Sequence, residues 1–184
     1  MTMPRIITPF APHSLFLLLT LTLFSCQDSR QKALDEIEDL RGRVISEESR
    51  AFDAQAADEL TRAFMAFIHE HPRDTLVPGF LFGAGELMMT LGQSEGALTQ
   101  FERLCRDYPE HGKADEALFM QAFIAENQLG DLGRARMLYG EFLRLYPSSD
   151  FADDAEACIR NLGKSPEEII REFEAAADSS AGPV

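Results

Sequence analysis

The chain has 184 residues, and its 17 lysines and arginines face 31 aspartates and glutamates, so the net charge is −14 at pH 7. This acidic balance argues against nucleic acid and anionic lipid headgroups as partners. The length suffices for one domain with a real core. The three cysteines form no CxxC pair and no Cys/His cluster, so neither a metal nor another cofactor is expected.

The first element is a short apolar run over residues 15–24, followed by Ser25 and Cys26. The run is shorter than the roughly 20 apolar residues of a permanent membrane helix. It has the length of a secretory signal segment, with Arg5 upstream. Leu-Phe-Ser-Cys at residues 23–26 resembles the lipobox of bacterial lipoproteins. The resemblance implies cleavage before Cys26 and lipidation of Cys26, whereas an ordinary signal peptide with a chance cysteine is the alternative.

Residues 1–25 are thus predicted to be a lipoprotein signal peptide and residues 26–30 a lipidated tether. Residues 31–50 are predicted to form an N-terminal charged helix. Its apolar residues recur every three or four positions, at Ala33, Ile37, Leu40 and Val44. This seam covers only about two heptads, fewer than a coiled coil needs. Packing of this helix on the first repeat is therefore favoured over a free coiled-coil arm.

Beyond residue 50 the sequence repeats itself. Tyr108-Pro109 and Tyr146-Pro147 follow His71-Pro72 at intervals of 37 and 38 residues, and Leu91-Gly92 and Leu129-Gly130 are 38 apart. Apolar, small and aromatic residues also return at matching places, in the sets Leu60, Ala97, Ala135; Phe64, Phe101, Tyr139; and Phe67, Leu104, Phe142. Glycine and proline separate segments of helical periodicity, so the pattern predicts an α-solenoid of helix pairs.

The spacing G-x4-A-x3-[FY]-x7-P, from Gly92 to Pro109 and from Gly130 to Pro147, resembles the tetratricopeptide repeat. The resemblance implies an all-α, right-handed solenoid of about three antiparallel helix pairs, with the repeats over residues 51–163. The period exceeds the family's usual 34 residues. With the Tyr-Pro endings, it resembles periplasmic lipoproteins of the outer-membrane assembly group (BamD-like) and of the Tol-associated group (CpoB-like).

The predicted helices are 31–45, 51–70, 76–91, 94–107, 113–128, 132–146 and 150–162. Ser165 as N-cap, Pro166 in the first turn and Glu168 in a capping box predict a further helix over 166–177. Residues 164–177 are expected to cap the open end of the stack. The tail over residues 178–184 is small and polar, and is predicted to be disordered.

The candidate partner-binding residues are phenylalanines and methionines on the first helices of two pairs. They are Phe80, Phe82, Met88, Met89, Phe119, Met120 and Phe123. Most are expected in the core, and the remainder would form a groove for a partner helix or an extended peptide. These helices carry almost no basic residue after Lys113, so a clamp for a C-terminal carboxylate is not expected. An acidic wall would favour a partner with lysine or arginine.

Other reactive residue types have ordinary structural interpretations. His69 and His71 diverge on a helix, so a structural role is favoured over a metal site. Cys105 and Cys158 fall at core positions, and free buried thiols are favoured over a disulfide. The acidic clusters are interpreted as solvated helix faces. No nucleophile, phosphate-loop or metalloprotease motif appears, so no catalytic residue is predicted.

The sequence therefore predicts a non-enzymatic scaffold that binds proteins of the bacterial cell envelope, possesses no cofactor and is anchored through Cys26. A role in outer-membrane protein assembly is the first interpretation. An adaptor for cell division, peptidoglycan or Tol-Pal-type maintenance is the alternative, and a cell-wall enzyme is a third, weaker one. Gln27 is not the aspartate that retains lipoproteins in the inner membrane of some bacteria, so the periplasmic face of the outer membrane is expected. The partner's identity and the oligomeric state are left open.

Overall fold

The structure is a computed structural model that describes the backbone of residues 13–45 and 51–180 and the side chains of residues 28–45 and 51–176. Within these residues the chain forms eight α-helices and, apart from one isolated bridge between Ile45 and Phe52, no β-structure. The helices are α1 (His13–Val44), α2 (Ala54–Glu70), α3 (Val77–Thr90), α4 (Ser94–Asp107), α5 (Ala114–Asn127), α6 (Leu132–Leu145), α7 (Ala152–Asn161) and α8 (Pro166–Ser180). The predicted all-α fold is confirmed.

The helices stack in chain order. Each helix from α1 to α6 packs on the next, which gives three pairs, α1–α2, α3–α4 and α5–α6, followed by α7. Buried apolar side chains form two clusters that meet at the half-buried Cys105 and Met120. No pair buries its apolar face alone, so the stack is a solenoid whose stability depends on contacts between neighbours.

The second helix of each pair ends in the same way. His71, Tyr108 and Tyr146 follow α2, α4 and α6, and each donates its backbone N–H to the carbonyl four residues earlier at 2.8–2.9 Å. The proline that comes next has no N–H and disfavours further helix, so the chain turns. The repeated X-Pro pairs of the sequence are therefore helix stops, as predicted.

A second repeated turn follows these stops and starts the next pair. The side chains of Asp74, His111 and Ser149 each accept a hydrogen bond from the backbone N–H two residues further on, at 2.9, 3.3 and 3.4 Å. Such a side-chain turn satisfies a donor that the coming helix leaves free. Three different residue types fill this position, and for that reason the repeat is not visible in the sequence.

Glycine closes the first helix of two pairs. Gly92 and Gly130 have φ values of +72° and +66°, a left-handed conformation that a side chain disfavours. The predicted helix ends at these two glycines are confirmed.

The N-terminal helix α1 is longer than expected, because it begins at His13 and runs through the residues 26–30 predicted to be a tether. Residues 1–12 of the predicted signal peptide, the Cys26 side chain, residues 46–50 and residues 181–184 lie outside the described part. Cleavage before Cys26 therefore stays a prediction. None of the described helices combines the length and the apolar character needed to cross a membrane.

The apolar seam of α1 packs inside the chain. Ile37, Leu40 and Val44 are 2 %, 5 % and 8 % exposed and belong to the same core cluster as α2 and α3. An ion pair of 3.0 Å between Arg43 and Glu59 also joins α1 to α2. The first of the two interpretations, packing on the first repeat, is the one that the structure shows.

The helix predicted to cap the stack is present, but its apolar residues do not cover the end of the solenoid. Ser165 and Glu168 form the expected capping box, with bonds of 2.8 and 3.2 Å. Ile170 and Phe173, however, are 58 % and 77 % exposed. Residues 178–180, expected in a disordered tail, continue α8.

The closest packing of the solenoid is around α3, which has glycine where two aromatic rings press on it. A β-carbon on Gly83 would lie 3.1 Å from Phe64 of α2, and one on Gly85 would lie 2.6 Å from Phe101 of α4. These rings therefore fix the distance between α3 and the helices on both sides.

The substitution Gly85→Ala should lower the free energy of unfolding by about 1–3 kcal/mol, because the new methyl group overlaps the Phe101 ring in a packed core. The matched control is Gly79→Ala on the same helix, where a β-carbon meets no atom within 4 Å. Alanine favours helix by up to about 1 kcal/mol there, so this control should be neutral or stabilising. Urea denaturation measures both, and equal effects of the two substitutions would contradict the proposed overlap.

Candidate functional site

The first helices of the pairs share one surface. A groove of about 330 Å³ between α1 and α3 is lined by Glu38, Arg41 and Gly79, among others. Lys113, at the start of α5, places its Nζ atom 4.8 Å from the centre of the Phe82 ring of α3. We call this the first-helix surface and define it by Arg41, Phe80, Glu86, Lys113, Glu116, Met120 and Phe123.

Residues of α5 extend this surface along the helix. Glu116, Met120 and Phe123 follow one another at intervals of four and three residues, so they lie on one side of α5. Phe123 is 37 % exposed and Met120 is half-buried. Phe123 is thus a large apolar side chain that the solenoid leaves accessible.

The aromatic residues beneath the surface support it. The Phe80 ring lies 4.9 Å from the rings of both Phe64 and Phe67. The Arg41 guanidinium lies 5.4 Å from the Phe64 ring centre and 5.7 Å from that of Phe80. Such cation–π contacts keep a cation at the surface while the rings stay in the core.

The seven candidate residues from the sequence divide by burial. Phe80, Phe82 and Phe119 are buried, whereas Met88, Met89 and Met120 are half-buried and Phe123 is exposed. Phe119 also stacks on Phe151, with ring centres 5.1 Å apart. The buried rings support the first-helix surface but are not accessible to a partner. Partner binding by the accessible members stays a prediction.

Helices α3, α5 and α7 are acidic in composition, whereas the first-helix surface itself carries two carboxylates, Glu86 and Glu116, and two cations, Arg41 and Lys113. Helices α3, α5 and α7 carry seven carboxylates and one arginine. Lys113 pairs with Glu116, and this hydrogen bond raises the pKa of Lys113. Partial burial raises the pKa of Glu86; the nearby Glu116 adds to the rise, and Lys113 opposes it. A cation brought by a partner would stabilise the charged form of Glu86.

Two stretches of the chain match the model of the tetratricopeptide repeat family, residues 80–111 and 116–149. These two stretches are similar to the tetratricopeptide repeat. A search of curated proteins found no match to the chain. The matched stretches cover most of the pairs α3–α4 and α5–α6, which carry the centre of the first-helix surface. Repeat solenoids of this kind use such surfaces to bind proteins.

The repeated helix ends also explain the histidines. His71 occupies the place of Tyr146, and its ring lies 4.8 Å from Phe67, as Tyr146 lies 5.8 Å from Phe142. His69, two residues earlier, is exposed to solvent. Within the described residues, no three histidine, cysteine or carboxylate side chains lie close enough together to hold a metal ion.

His71 has an unsatisfied atom. Its Nε2 is buried and has no hydrogen-bond partner among the described residues. The substitution His71→Phe should keep the ring contact with Phe67 and remove this atom, which raises the free energy of unfolding by about 1 kcal/mol. Thermal unfolding followed by circular dichroism measures the change. His71→Ala serves as the control, because it also loses the ring contact. A destabilised His71→Phe variant would show that Nε2 has a partner.

The cysteines of the repeats are free thiols. The Cys105 thiol donates to the Ala114 carbonyl at 3.4 Å and accepts from Gln121 Nε2 at 3.3 Å. Burial raises the pKa of Cys105 to about 11, so the thiol is protonated at neutral pH. A protonated thiol is a poor nucleophile.

A second groove, of about 680 Å³, lies between α4, α5 and α6, and no pattern in the sequence predicts it. Its walls include Cys105, Leu138 and Leu145. Arg134 of α6 bonds to Glu102 of α4 at 2.6 Å and joins the two second helices. Residues from three helices meet here only through stacking, and no motif marks them.

Proposed function

We propose that the protein is an interaction scaffold of the bacterial cell envelope that is anchored to a membrane by lipid on Cys26 and binds a protein partner at its first-helix surface. The observation that carries the proposal is the surface itself, where the accessible Phe123 lies on the same side of α5 as Glu116, and Glu116 in turn acts on Glu86 of α3. An apolar anchor on a surface where Glu86 has no ion pair within the described residues favours a helix or extended peptide with one large apolar side chain and a nearby lysine or arginine.

The anchor would hold the solenoid close to the bilayer. Arg30 bonds to Asp74 at 2.6 Å, only four residues after Cys26, so the repeats begin almost at the proposed lipid. More than one acyl chain is needed for a stable anchor. The acidic chain has little attraction of its own for anionic headgroups, so attachment would depend on the lipid.

Among envelope roles, we propose outer-membrane protein assembly, at the periplasmic face of the outer membrane. The adaptor role in division, peptidoglycan or Tol-Pal-type maintenance would rest on self-association through residues 31–50. The seam residues Ile37, Leu40 and Val44 are buried within the chain, which gives that alternative less support.

Depletion of the protein should lower the abundance of outer-membrane barrels, and unchanged barrels would count against the assembly role.

The anchor is tested by Cys26→Ser in the full chain. In cells fed a labelled fatty acid, the wild-type protein should become labelled. The variant should carry no label and should be absent from the membrane fraction. Cys158→Ser is the control, since Cys158 lies in the repeats. A wild type without label, or a variant that keeps it, would contradict lipidation at Cys26.

The surface is tested by a photo-crosslinking amino acid in place of Phe123. In cells it should give a discrete adduct with one envelope protein. The matched control is the same substitution at Leu145 of α6, which is 45 % exposed and lines the second groove rather than the first-helix surface. An adduct of the same size and yield from both positions would show non-specific contact and contradict the proposed surface.

The charge contribution is tested by Glu86→Gln in the crosslinking variant. The adduct yield should fall about twofold to fivefold, the effect of losing one partly exposed ion pair. Burial disfavours the charged form of Glu86 in the folded chain, so glutamine should not lower the free energy of unfolding at neutral pH. A yield equal to that of the parent would show that Glu86 does not contribute to the binding surface.

A further inference from the structure

Helix α8 has the sequence pattern of a second helix of a pair, but it is not packed like one. In α4 and α6 an aromatic residue stands eight positions after the N-cap, as Phe101 after Gln93 and Tyr139 after Asp131. In α8 Phe173 stands eight positions after Ser165. The first two rings are 0 % exposed, whereas that of Phe173 is 77 % exposed.

The connection from α7 explains the difference. Helix α7 has ten residues where α3 and α5 have fourteen, so it ends about 6 Å short of their length. A turn then follows in which Leu162 has φ −54° and ψ 116°, Gly163 has φ +81°, and the Lys164 N–H donates to the Asn161 carbonyl at 2.9 Å. These are the features of a type II turn. Lys164 also pairs with Glu172. The chain therefore leaves α7 in a direction that keeps the apolar side of α8 off the stack.

A second unpartnered surface lies on α6. Met137 is 70 % exposed, and Gly133 and Gly140 stand four residues before it and three after it on the same side of the helix. A β-carbon on Gly140 would meet no atom within 4 Å. An exposed methionine between two glycines lets another helix approach closely and pack on the flexible thioether.

The two surfaces have opposite charge. Helix α8 contains five carboxylates and one arginine, whereas α6 contains three arginines and one glutamate. Of these arginines, Arg134 is paired with Glu102 and Arg144 lies 3.9 Å from Glu141. Arg136 is exposed and has no ion pair within the described part of the chain. The acidic helix thus has a cationic site available on α6.

We propose that α8 of one copy docks on α6 of a second copy, and that the exchange is reciprocal. Phe173 and Ile170 would cover Met137, and the carboxylates of α8 would neutralise Arg136. The turn after α7 directs α8 away from its own stack. Two surfaces that match each other on one chain close into a symmetric pair when each copy contacts the other through both of them. The dimer is independent of the lipid anchor and of the first-helix surface.

The experiment uses two differently tagged full-length copies in one cell. One carries Met137→Cys and the other Phe173→Cys, so that only contact between copies gives a disulfide that joins both tags. The control pair is Thr99→Cys with Phe173→Cys, because Thr99 is exposed on α4. Cys105 gives little background, since it is half-buried with a pKa of about 11, and Cys158→Ser in both copies removes the other free thiol of the repeats. A joined product from the first pair and none from the control is the expected result.

Variants that remove the interaction complete the test. In this test the two copies carry Phe173→Cys and Gly133→Cys as the reporter pair. Adding Met137→Glu or Arg136→Glu should each reduce the joined product by about fivefold or more, the scale of a lost central contact. Neither residue is buried, so the far-UV circular dichroism spectrum of each variant should match that of the wild type. Unchanged yields from both variants would overturn the proposal.

The same two cysteines distinguish docking between copies from docking within one chain. A single copy with both Met137→Cys and Phe173→Cys would form an internal disulfide if α8 folded back on its own α6. An internal product without any joined product would overturn the proposal, and so would the absence of both.

Discussion

Two aromatic rings press on α3 from opposite sides, and the positions of the other helices depend on that contact. Phe64 of α2 meets Gly83, and Phe101 of α4 meets Gly85, at distances that leave no room for a β-carbon in ordinary contact. Around these glycines the rings of Phe80 and Phe82 pack at 4.9 and 5.5 Å from their neighbours. Interiors packed to this density transmit displacements, so the helix spacing is set here and carried along the stack.

The first-helix surface is a consequence of this spacing. Because Phe80 and Phe82 are held in the core, Arg41 and Lys113 can lie over their rings, and Glu86 and Glu116 come close enough to act on each other. The surface therefore joins residues from three helices that are far apart in the sequence. A partner that bound it would contact a rigid wall with one accessible aromatic residue, Phe123, which favours preorganised binding.

The regular pattern ends at α7, and that is where the chain exposes unusual surfaces. Four residues fewer than in α3 or α5, followed by the turn at Gly163, redirect α8. In a regular pair the ring of Phe173 would be buried, as the rings of Phe101 and Tyr139 are in α4 and α6. Terminal repeats of solenoids usually carry a polar outer face, and this chain departs from that rule.

The sequence by itself determined the helices and their ends. Periodicity, the X-Pro stops and the glycines at 92 and 130 act locally, so the predicted bounds of α2 to α6 lie within three residues of the observed ones. It did not reveal the side-chain turns at Asp74, His111 and Ser149, since different residues make the same bond. The sequence also predicted that α8 covers the end of the stack, whereas the apolar residues of α8 stay exposed. A capping box specifies where a helix starts and not the direction in which it runs. Which phenylalanines are buried, which charges face each other and where α8 points were decided only by the tertiary structure, because these properties depend on the distances between helices.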